Sequence, residues 1–424
     1  MSEQYQLSGS TASEIAASVE AAVAAGGLPA GAPLPSVRRL AASLEVSPTT
    51  VAAALAELRR RGVIVSRPRS GTRVAERPPL ARPSAAVPAG AVDLATGNPD
   101  VSLLPQLPVL AAPQRRYAAE PVLPELAAIA VAAFRADGVP ATRVCAVNGA
   151  LDGIERVLGA RLSPGDAVAV EDPGWPGVLD LARALGLRLV PVAVDARGMV
   201  PAALSAAVRS GVRAVVHTPR GHNPCGSALD AARAAELSAV LPDDVLVVED
   251  DHLGPVAGTP WHTLVAGRSR WAAVRSVSKW LGPDLRLALL AGDETTLARV
   301  EGRQSLGPGW VSGLVQQLAV QLWDDPAIER AAAVYTERRD ALAALVDAAP
   351  APSGINLWIP VPDEDAAVRS LLAEGYAVAA GTPYRLRTGP AIRITTAELD
   401  VADAPRVAAA VGRAVQPPRR TRAA

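Results

Sequence analysis

Lysine occurs once in this chain of 424 residues, at Lys279, although Lys and Arg together number 42. Arginine therefore serves wherever a positive charge suffices, and one position has kept an amine. An amine can lose its proton near neutrality and can condense with an aldehyde; a guanidinium does neither. Its surroundings, Ser276-Val277-Ser278-Lys279-Trp280-Leu281-Gly282-Pro283-Asp284-Leu285-Arg286, add two hydroxyls and a guanidinium suited to an anion. Chance survival on a solvated surface is the plainer explanation, and the residues found elsewhere argue against it.

An aldehyde cofactor held on lysine needs four kinds of support. A carboxylate must keep a pyridine nitrogen protonated so that the ring withdraws electrons. Asp250, just past the apolar run Val245–Val248, is placed for this; Glu249 and Asp251 are less suited by position. A donor must face the ring hydroxyl, and Asn223 fits. Phosphate needs amides, hydroxyls and an arginine. Gly149 and Ala150 open a helix after a strand at Val144–Val147, and Ser276, Ser278 and Arg286 flank the lysine. An aromatic ring must stack on the cofactor, and Trp175 is available.

The elements that must position these residues follow from apolar patterning. Ala167–Val170, Leu187–Val194, Val212–His217, Val245–Val248 and Ala272–Val277 read as buried strands. Helices such as Leu151–Leu162, Val178–Leu185 and Ala228–Val240 lie between them. Such alternation predicts an α/β fold with a mainly parallel sheet covered on both faces, ligands binding beyond the strands' carboxyl ends. A smaller C-terminal α+β subdomain is expected from about Pro326.

The first 75 residues differ. Thr11-Ala12-Ser13-Glu14 reads as a capping box, and Gly26-Gly27 stops the helix it opens. Ser36 and Ser47 cap two more helices, the second with Pro48 at its first position. Val63–Val65 and Thr72–Val74 then form a hairpin. Three helices and a hairpin predict a winged helix-turn-helix. From Arg59 to Arg73 there are six arginines, including Arg67 and Arg69, and no acid, where phosphates would lie. Thr49 and Thr50 open the third helix within reach of bases or phosphates. The domains expected are 1–75 (winged helix), 76–91 (proline-rich linker), 92–416 (cofactor-binding) and 417–424 (basic tail). At about 3.1 Å per residue the extended linker spans roughly 50 Å.

Whole-chain charge is zero, so only the local basic cluster points to nucleic acid. Cys145 and Cys225 lie far apart, with no Cys/His metal spacing, so a reducing cytoplasm and no metal are expected. The polar start MSEQYQLSGS and the absence of a long apolar run predict no signal peptide and no membrane span.

In order, NGALDG, EDPGWPG, TPRGHNPCG, VVEDDH and SVSKWLGPDLR resemble the motifs of fold type I pyridoxal-5′-phosphate (PLP) aminotransferases. The resemblance covers roughly 320 residues, with 27 from Asn223 to Asp250 and 29 from Asp250 to Lys279. It implies that Lys279 carries the internal aldimine and that Asp250 pairs with the pyridinium nitrogen. It also implies that Asn223 faces the ring hydroxyl, that Trp175 stacks, and that Ser276, Ser278 and Arg286 hold phosphate. Arg393 is similar to the family's arginine for a substrate carboxylate, and Tyr117 to a tyrosine reaching the partner's phosphate. A homodimer is implied as well. Where the family often has a tyrosine beside the Asp strand, this chain has His252, which can still donate a hydrogen bond to the cofactor.

Leu34–Val74 resembles the GntR-type winged helix over about 40 residues. By that resemblance Arg38, Thr49 and Thr50 contact DNA, and Gly71 lets the wing approach the backbone. Pro48 stands where the family often has arginine. Both halves together resemble the MocR subfamily of transcription regulators. The implied function is a PLP-dependent, DNA-binding regulator on an operator with two half-sites, sensing a small amine, an amino acid or PLP. The alternative is an active aminotransferase with an accessory N-terminal domain.

Overall fold

The structure is a computed structural model. It describes residues 7–67, 71–75, 87–110, 115–117 and 119–415, the side chains of 60, 66 and 67 excepted. Arg69, the Arg67 side chain, linker residues 76–86 and the tail from 416 onward lie outside the described residues. The chain divides into two compact units.

In the N-terminal unit, α1 (Ala12–Ala24), α2 (Val37–Leu44) and α3 (Pro48–Arg60) precede β1 (Ile64–Arg67) and β2 (Gly71–Val74). Each helix starts where a side chain accepts an orphan amide. Thr11 and Glu14 form the predicted capping box, Ser36 accepts from Arg39 N, and Ser47 accepts from Thr50 N with Pro48 behind it. Ile15, Val19, Leu40, Leu55, Leu58, Ile64 and Val74 close one core. Each buried aliphatic of this kind stabilises by about 1.5–3 kcal/mol. The strands pair antiparallel, Ile64 opposite Val74.

The second unit begins with β3 (Val92–Leu94) and α4 (Pro124–Ala136). The chain continues through β4 (Cys145–Val147), α5 (Ala150–Arg161), β5 (Ala167–Asp172), α6 (Pro176–Ala184), β6 (Arg188–Asp195), β7 (Gly198–Met199) and α7 (Pro201–Arg209), with residues 162–167 and 177–189 counted in the first unit. Then come β8 (Ala214–His217), α8 (Ala231–Val240), β9 (Leu246–Asp251), β10 (Trp271–Ser276), β11 (Ala288–Gly292), α9 (Glu294–Ser305) and α10 (Gly313–Leu322). The chain closes with α11 (Pro326–Ala343), β12 (Asn356–Pro360), α12 (Glu364–Ala373), β13 (Tyr376–Ala380), β14 (Ala391–Thr395) and α13 (Ala404–Ala414).

Eight strands form one sheet in the order β4-β11-β10-β9-β8-β5-β6-β7. Its centre, β5-β8-β9-β10, is parallel. These strands are buried at every residue, as their unbroken apolar runs predict. β11 runs antiparallel to β10 and β4 and falls outside the simple βαβ alternation. The smaller subdomain is a four-stranded sheet, β12-β14-β13-β3, with α12 and α13. Its edge strand β3 comes from residues 92–94 and pairs parallel with β13. The subdomain therefore recruits chain from both ends of the unit, not only from Pro326 onward.

Candidate functional site

The carboxyl end of β9 carries three buried acids in a row, and strand alternation gives each a different neighbour. Glu249 accepts from Leu264 N at 2.7 Å and sits 3.1 Å from His217 Nε2. Asp251 lies between Arg220 and Arg275, with N–O distances of 2.9 and 2.7 Å, and both guanidiniums hold its carboxyl well below the usual range. Asp250, between these two, has no such partner. It is 2% exposed and its Oδ1 accepts no hydrogen bond. Burial first, and then the charges of Asp251 and Glu171, push its carboxyl up to about 8. A buried carboxyl with an orphan oxygen is costly unless a donor arrives. A protonated pyridine nitrogen is such a donor.

Neighbouring strand β10 ends at Ser276, Val274 standing opposite Asp250, and Lys279 occupies the turn that follows. The lysine amine donates to Gly97 O at 2.7 Å. Burial, then the charges of Arg393 and Arg286, bring it down to about 8. A large share of neutral amine near physiological pH is what condensation with an aldehyde requires.

A cavity of about 450 Å³ is lined by Lys279, Asn223, Trp175, His252, Ser276, Ser278, Ala150, Arg286 and Arg393. One end is an anion cradle. Gly149 has φ +96°, and a Cβ there would come within 2.5 Å of an Arg286 nitrogen, so only glycine leaves that guanidinium its place. Arg286 Nη2 donates to Asn148 O at 3.3 Å, beside the amino end of α5. The Ser276 and Ser278 hydroxyls are 2.8 Å apart and share a hydrogen bond. The charge-compatible helix start, two hydroxyls and a guanidinium suit a phosphate.

The other walls hold the aromatic residues. Trp175 and His252 have ring centroids 6.4 Å apart and planes 20° apart. Burial, then the Lys279 charge, push His252 down to about 4, so its ring is neutral at physiological pH. Its Nδ1 lies 4.0 Å from Asp250 Oδ2. Behind Asn223, the His222 ring sits 3.2 Å from Glu171, whose carboxylate holds it protonated up to about 10 against the effect of burial. His222 thus ties the Asn223 loop to β5 and does not enter the cavity. Asp172 accepts three backbone amides, from Leu386, Arg387 and Thr388, and so fixes the loop after Tyr384.

Arg393, 3% exposed, reaches the cavity from β14. Its Nη1 donates to Asn223 Oδ1 at 3.3 Å, Nη2 donates to Ala95 O, and the guanidinium lies over the Tyr384 ring at 5.1 Å. Thr96, Gly97, Asn356 and Tyr384 also line the site, and the sequence reading missed them. Gly97 is placed by contact with residues about 180 or more positions away, a relation no local pattern carries. Tyr117 is not among the lining residues; it is 93% exposed and meets Trp310 edge-on at 5.7 Å. Cys225 packs with Trp358, Tyr384 and Ala391 as a buried apolar residue.

On the N-terminal unit, Arg38 and Thr49 are exposed. The Thr50 hydroxyl is 2.8 Å from Ser47 Oγ and is occupied by the cap. Gly71 has φ +74° with open space around it. Two of the six arginines counted as a phosphate face are otherwise engaged. Arg61 pairs with Glu20 and Glu57, and Arg73 donates to Gly31 O at 3.0 Å. The acids come from α1 and from inside α3, before the acid-free window begins, which hid them from a reading of Arg59–Arg73.

A winged helix joined to a fold type I aminotransferase-like domain defines a class of transcription regulators. Residues 92–411 match the family described as aminotransferase class I and II, and residues 11–74 match bacterial regulatory proteins of the gntR family. The chain belongs to the GntR-type regulators that carry an aminotransferase class I and II domain, as the MocR subfamily does. It is 38% identical over 428 residues to the vitamin B6 salvage pathway transcriptional repressor PtsJ of Salmonella typhimurium, with 96% of this chain and 99% of that protein covered. It is 30% identical over 247 residues to the HTH-type pyridoxine biosynthesis transcriptional regulator PdxR of Corynebacterium glutamicum, covering 54% and 53% of the two chains. Among solved structures, an archaeal alanine:glyoxylate aminotransferase shares the fold, with TM-score 0.68 and 20% identity over 77% of this chain and 90% of that one.

Proposed function

We propose that this regulator holds PLP at Lys279 and senses a small amine, an amino acid or PLP itself there. The observation that carries the reading is the sole lysine lining the cavity beside His252, whose Nδ1 lies 4.0 Å from Asp250, a buried carboxyl whose Oδ1 has no donor among the described residues. When bound, the cofactor supplies an electron-withdrawing pyridinium ring. Lys279 would hold its aldehyde carbon, Asp250 its ring N–H, Asn223 its hydroxyl and Trp175 its face. Ala150 at the start of α5, Gly149, Ser276, Ser278 and Arg286 would hold the phosphate. His252, neutral, adds a second polar group near Asn223 and Asp250. Arg393 would receive an effector carboxylate.

The names of the two regulators above support a vitamin B6 compound as cofactor or signal. Arg38, Thr49, Thr50, Arg67, Arg69 and Gly71 would meet DNA. Exposed Val109, Tyr117 and Leu306 support a homodimer, which would set two winged helices on two half-sites. No helix among the described residues is long and apolar enough to cross a membrane, and DNA binding supports a cytoplasmic protein. For regulation, the effector must bind one arrangement of the chain more tightly than another.

The test is an absorption spectrum of the full chain with PLP, before and after borohydride, beside Lys279→Ala, with a gel shift on the same samples. A long-wavelength band that borohydride fixes and Lys279→Ala lacks, together with sequence-preferring DNA binding, is expected. Absence of DNA binding with and without PLP would sink the regulator. The second reading, a working aminotransferase, is supported by the lysine, aspartate, asparagine and arginine standing together. It requires an amino donor to bleach that band.

A further inference from the structure

Two of the three cations that line this cavity, Lys279 and Arg393, are already engaged by a single turn of the chain. The turn follows β3 directly. Asp93 Oδ1 accepts from Ala95 N and Thr96 N, each at 2.9 Å, and its Oδ2 accepts from the Thr96 hydroxyl. Asn98 Nδ2 donates to the same hydroxyl at 3.0 Å. Gly97 has φ +73°, a conformation most side chains disfavour. Closed in this way, the turn aims two carbonyls into the site. Ala95 O accepts from Arg393 Nη2, and Gly97 O accepts from Lys279 Nζ at 2.7 Å.

Arg393 is engaged on three sides. Its Nη1 is taken by Asn223, its Nη2 by Ala95, and its face by Tyr384, while Nε is buried without a partner. Of the five N–H groups of the guanidinium these contacts take one on each terminal nitrogen, so a two-pronged carboxylate would share Nη2 with the Ala95 carbonyl.

We propose that the Asp93–Asn98 turn is a built-in competitor for the effector's carboxylate: a carboxylate ligand that grips Arg393 competes with the Ala95 carbonyl for Nη2. This rests on the reading of the cavity as the effector site and adds how that site is regulated. A ligand without a carboxylate, such as PLP alone, leaves the Arg393–Ala95 contact in place. An amino acid opens it. The turn lies close to the linker: β3, which it follows, begins one residue past 91 and is an edge strand paired with β13, its Leu94 buried in the subdomain core. Its release therefore acts on the chain that leads to the DNA-binding unit. Ligands with and without a carboxylate would thus give the linker two different anchors.

The experiment uses the full-length, PLP-loaded protein and 3-phenylpropionate, a carboxylate with no amine to react. Calorimetry gives its Kd, and amide hydrogen exchange follows residues 95–98. In the wild type, the probe should speed exchange at these amides. Asp93→Asn weakens the turn, and Thr96→Val weakens it without changing charge. Each should exchange faster without probe and bind it about tenfold more tightly, the worth of one charge-assisted hydrogen bond. Arg393→Ala should lose the binding and also loosen the turn. Unchanged Kd and exchange in both turn variants, with binding still lost in Arg393→Ala, would overturn the competitor while leaving the effector site standing. Equal probe binding in wild type and Arg393→Ala would overturn both, because Arg393 would then not be the carboxylate site.

Discussion

Asp250 Oδ2 lies 4.0 Å from His252 Nδ1, yet neither Asp250 Oδ1 nor His252 Nδ1 has a hydrogen-bond partner among the described residues. Two buried polar groups held this close and left unsatisfied, one of them lining the cavity, mark a place shaped for something else to bind. Their titrations move in opposite directions for one shared reason. Burial disfavours charge, which lifts the acid and lowers the base.

That arrangement makes the stability of the cofactor-free protein depend on pH. The Asp250 carboxyl has an ordinary value of 3.8 and titrates at about 8 when folded. The folded state therefore holds the proton more tightly. The linked stability is fully present below the unfolded value and is lost as pH rises through about 8. Thermal melting without PLP should show a falling Tm across this window, and Asp250→Asn should flatten that part of the curve. The same variant should bind PLP at least 10²-fold more weakly, since removing one partner of a buried ion pair costs about 3–5 kcal/mol. A parallel pH curve in the variant would show that another group titrates there.

Lys279 gives a second pH dependence, of opposite use. Its amine is lowered to about 8, so the neutral, reactive form grows as pH rises through that value. The rate of PLP loading, followed by absorbance, should rise with pH to a midpoint of about 8. Arg393 and Arg286 both depress the lysine by charge. Arg393→Gln should therefore move the midpoint upward, and an unmoved midpoint would leave burial and Arg286 as the causes.

The cradle at Gly149 separates phosphate binding from the rest of the site. Gly149→Ala places a Cβ within 2.5 Å of the Arg286 guanidinium and forces a side chain into φ +96°. Arg286 must move, and the loss should fall on the phosphate. PLP affinity should drop about tenfold or more, whereas pyridoxal, which has no phosphate, should bind as to the wild type. Equal losses for both would mean that the loop as a whole had shifted.

Much of this site was legible because its residues sit at strand ends, where alternation and chain order dictate position. Asp250 stands out from Glu249 and Asp251 once the pleat puts its neighbours on the other side, each with its own partners. Lys279 was found by composition alone. What the sequence hid depends on contacts across long separations. Gly97 meets Lys279 from 182 residues away, and Tyr384 lies under Arg393 through a loop pinned by Asp172. Residues 92–94 joining a sheet otherwise built after residue 355 is a tertiary choice that three residues cannot announce. The winged helix was read more fully, since caps and short amphipathic helices are local. Its arginines were over-read, because a count of charge says nothing about acids brought in by folding.

Those arginines supply a prediction that divides DNA contact from folding. Arg38 is exposed near the start of α2, and Arg73 is tied to Gly31 O at 3.0 Å. If Arg38 neutralises a phosphate, Arg38→Ala should weaken binding to all sequences alike. It should also lower the slope of log affinity against log salt by about 1. Arg73→Ala instead removes a contact that holds the strand β2 to the loop before α2. It should cost about 1 kcal/mol of stability in the N-terminal unit and leave the salt slope unchanged. Titration of an operator fragment at several salt concentrations, beside thermal melting of each variant, measures both. A lower slope for Arg73→Ala would return that residue to the phosphate face, and an unchanged slope for Arg38→Ala would remove Arg38 from it.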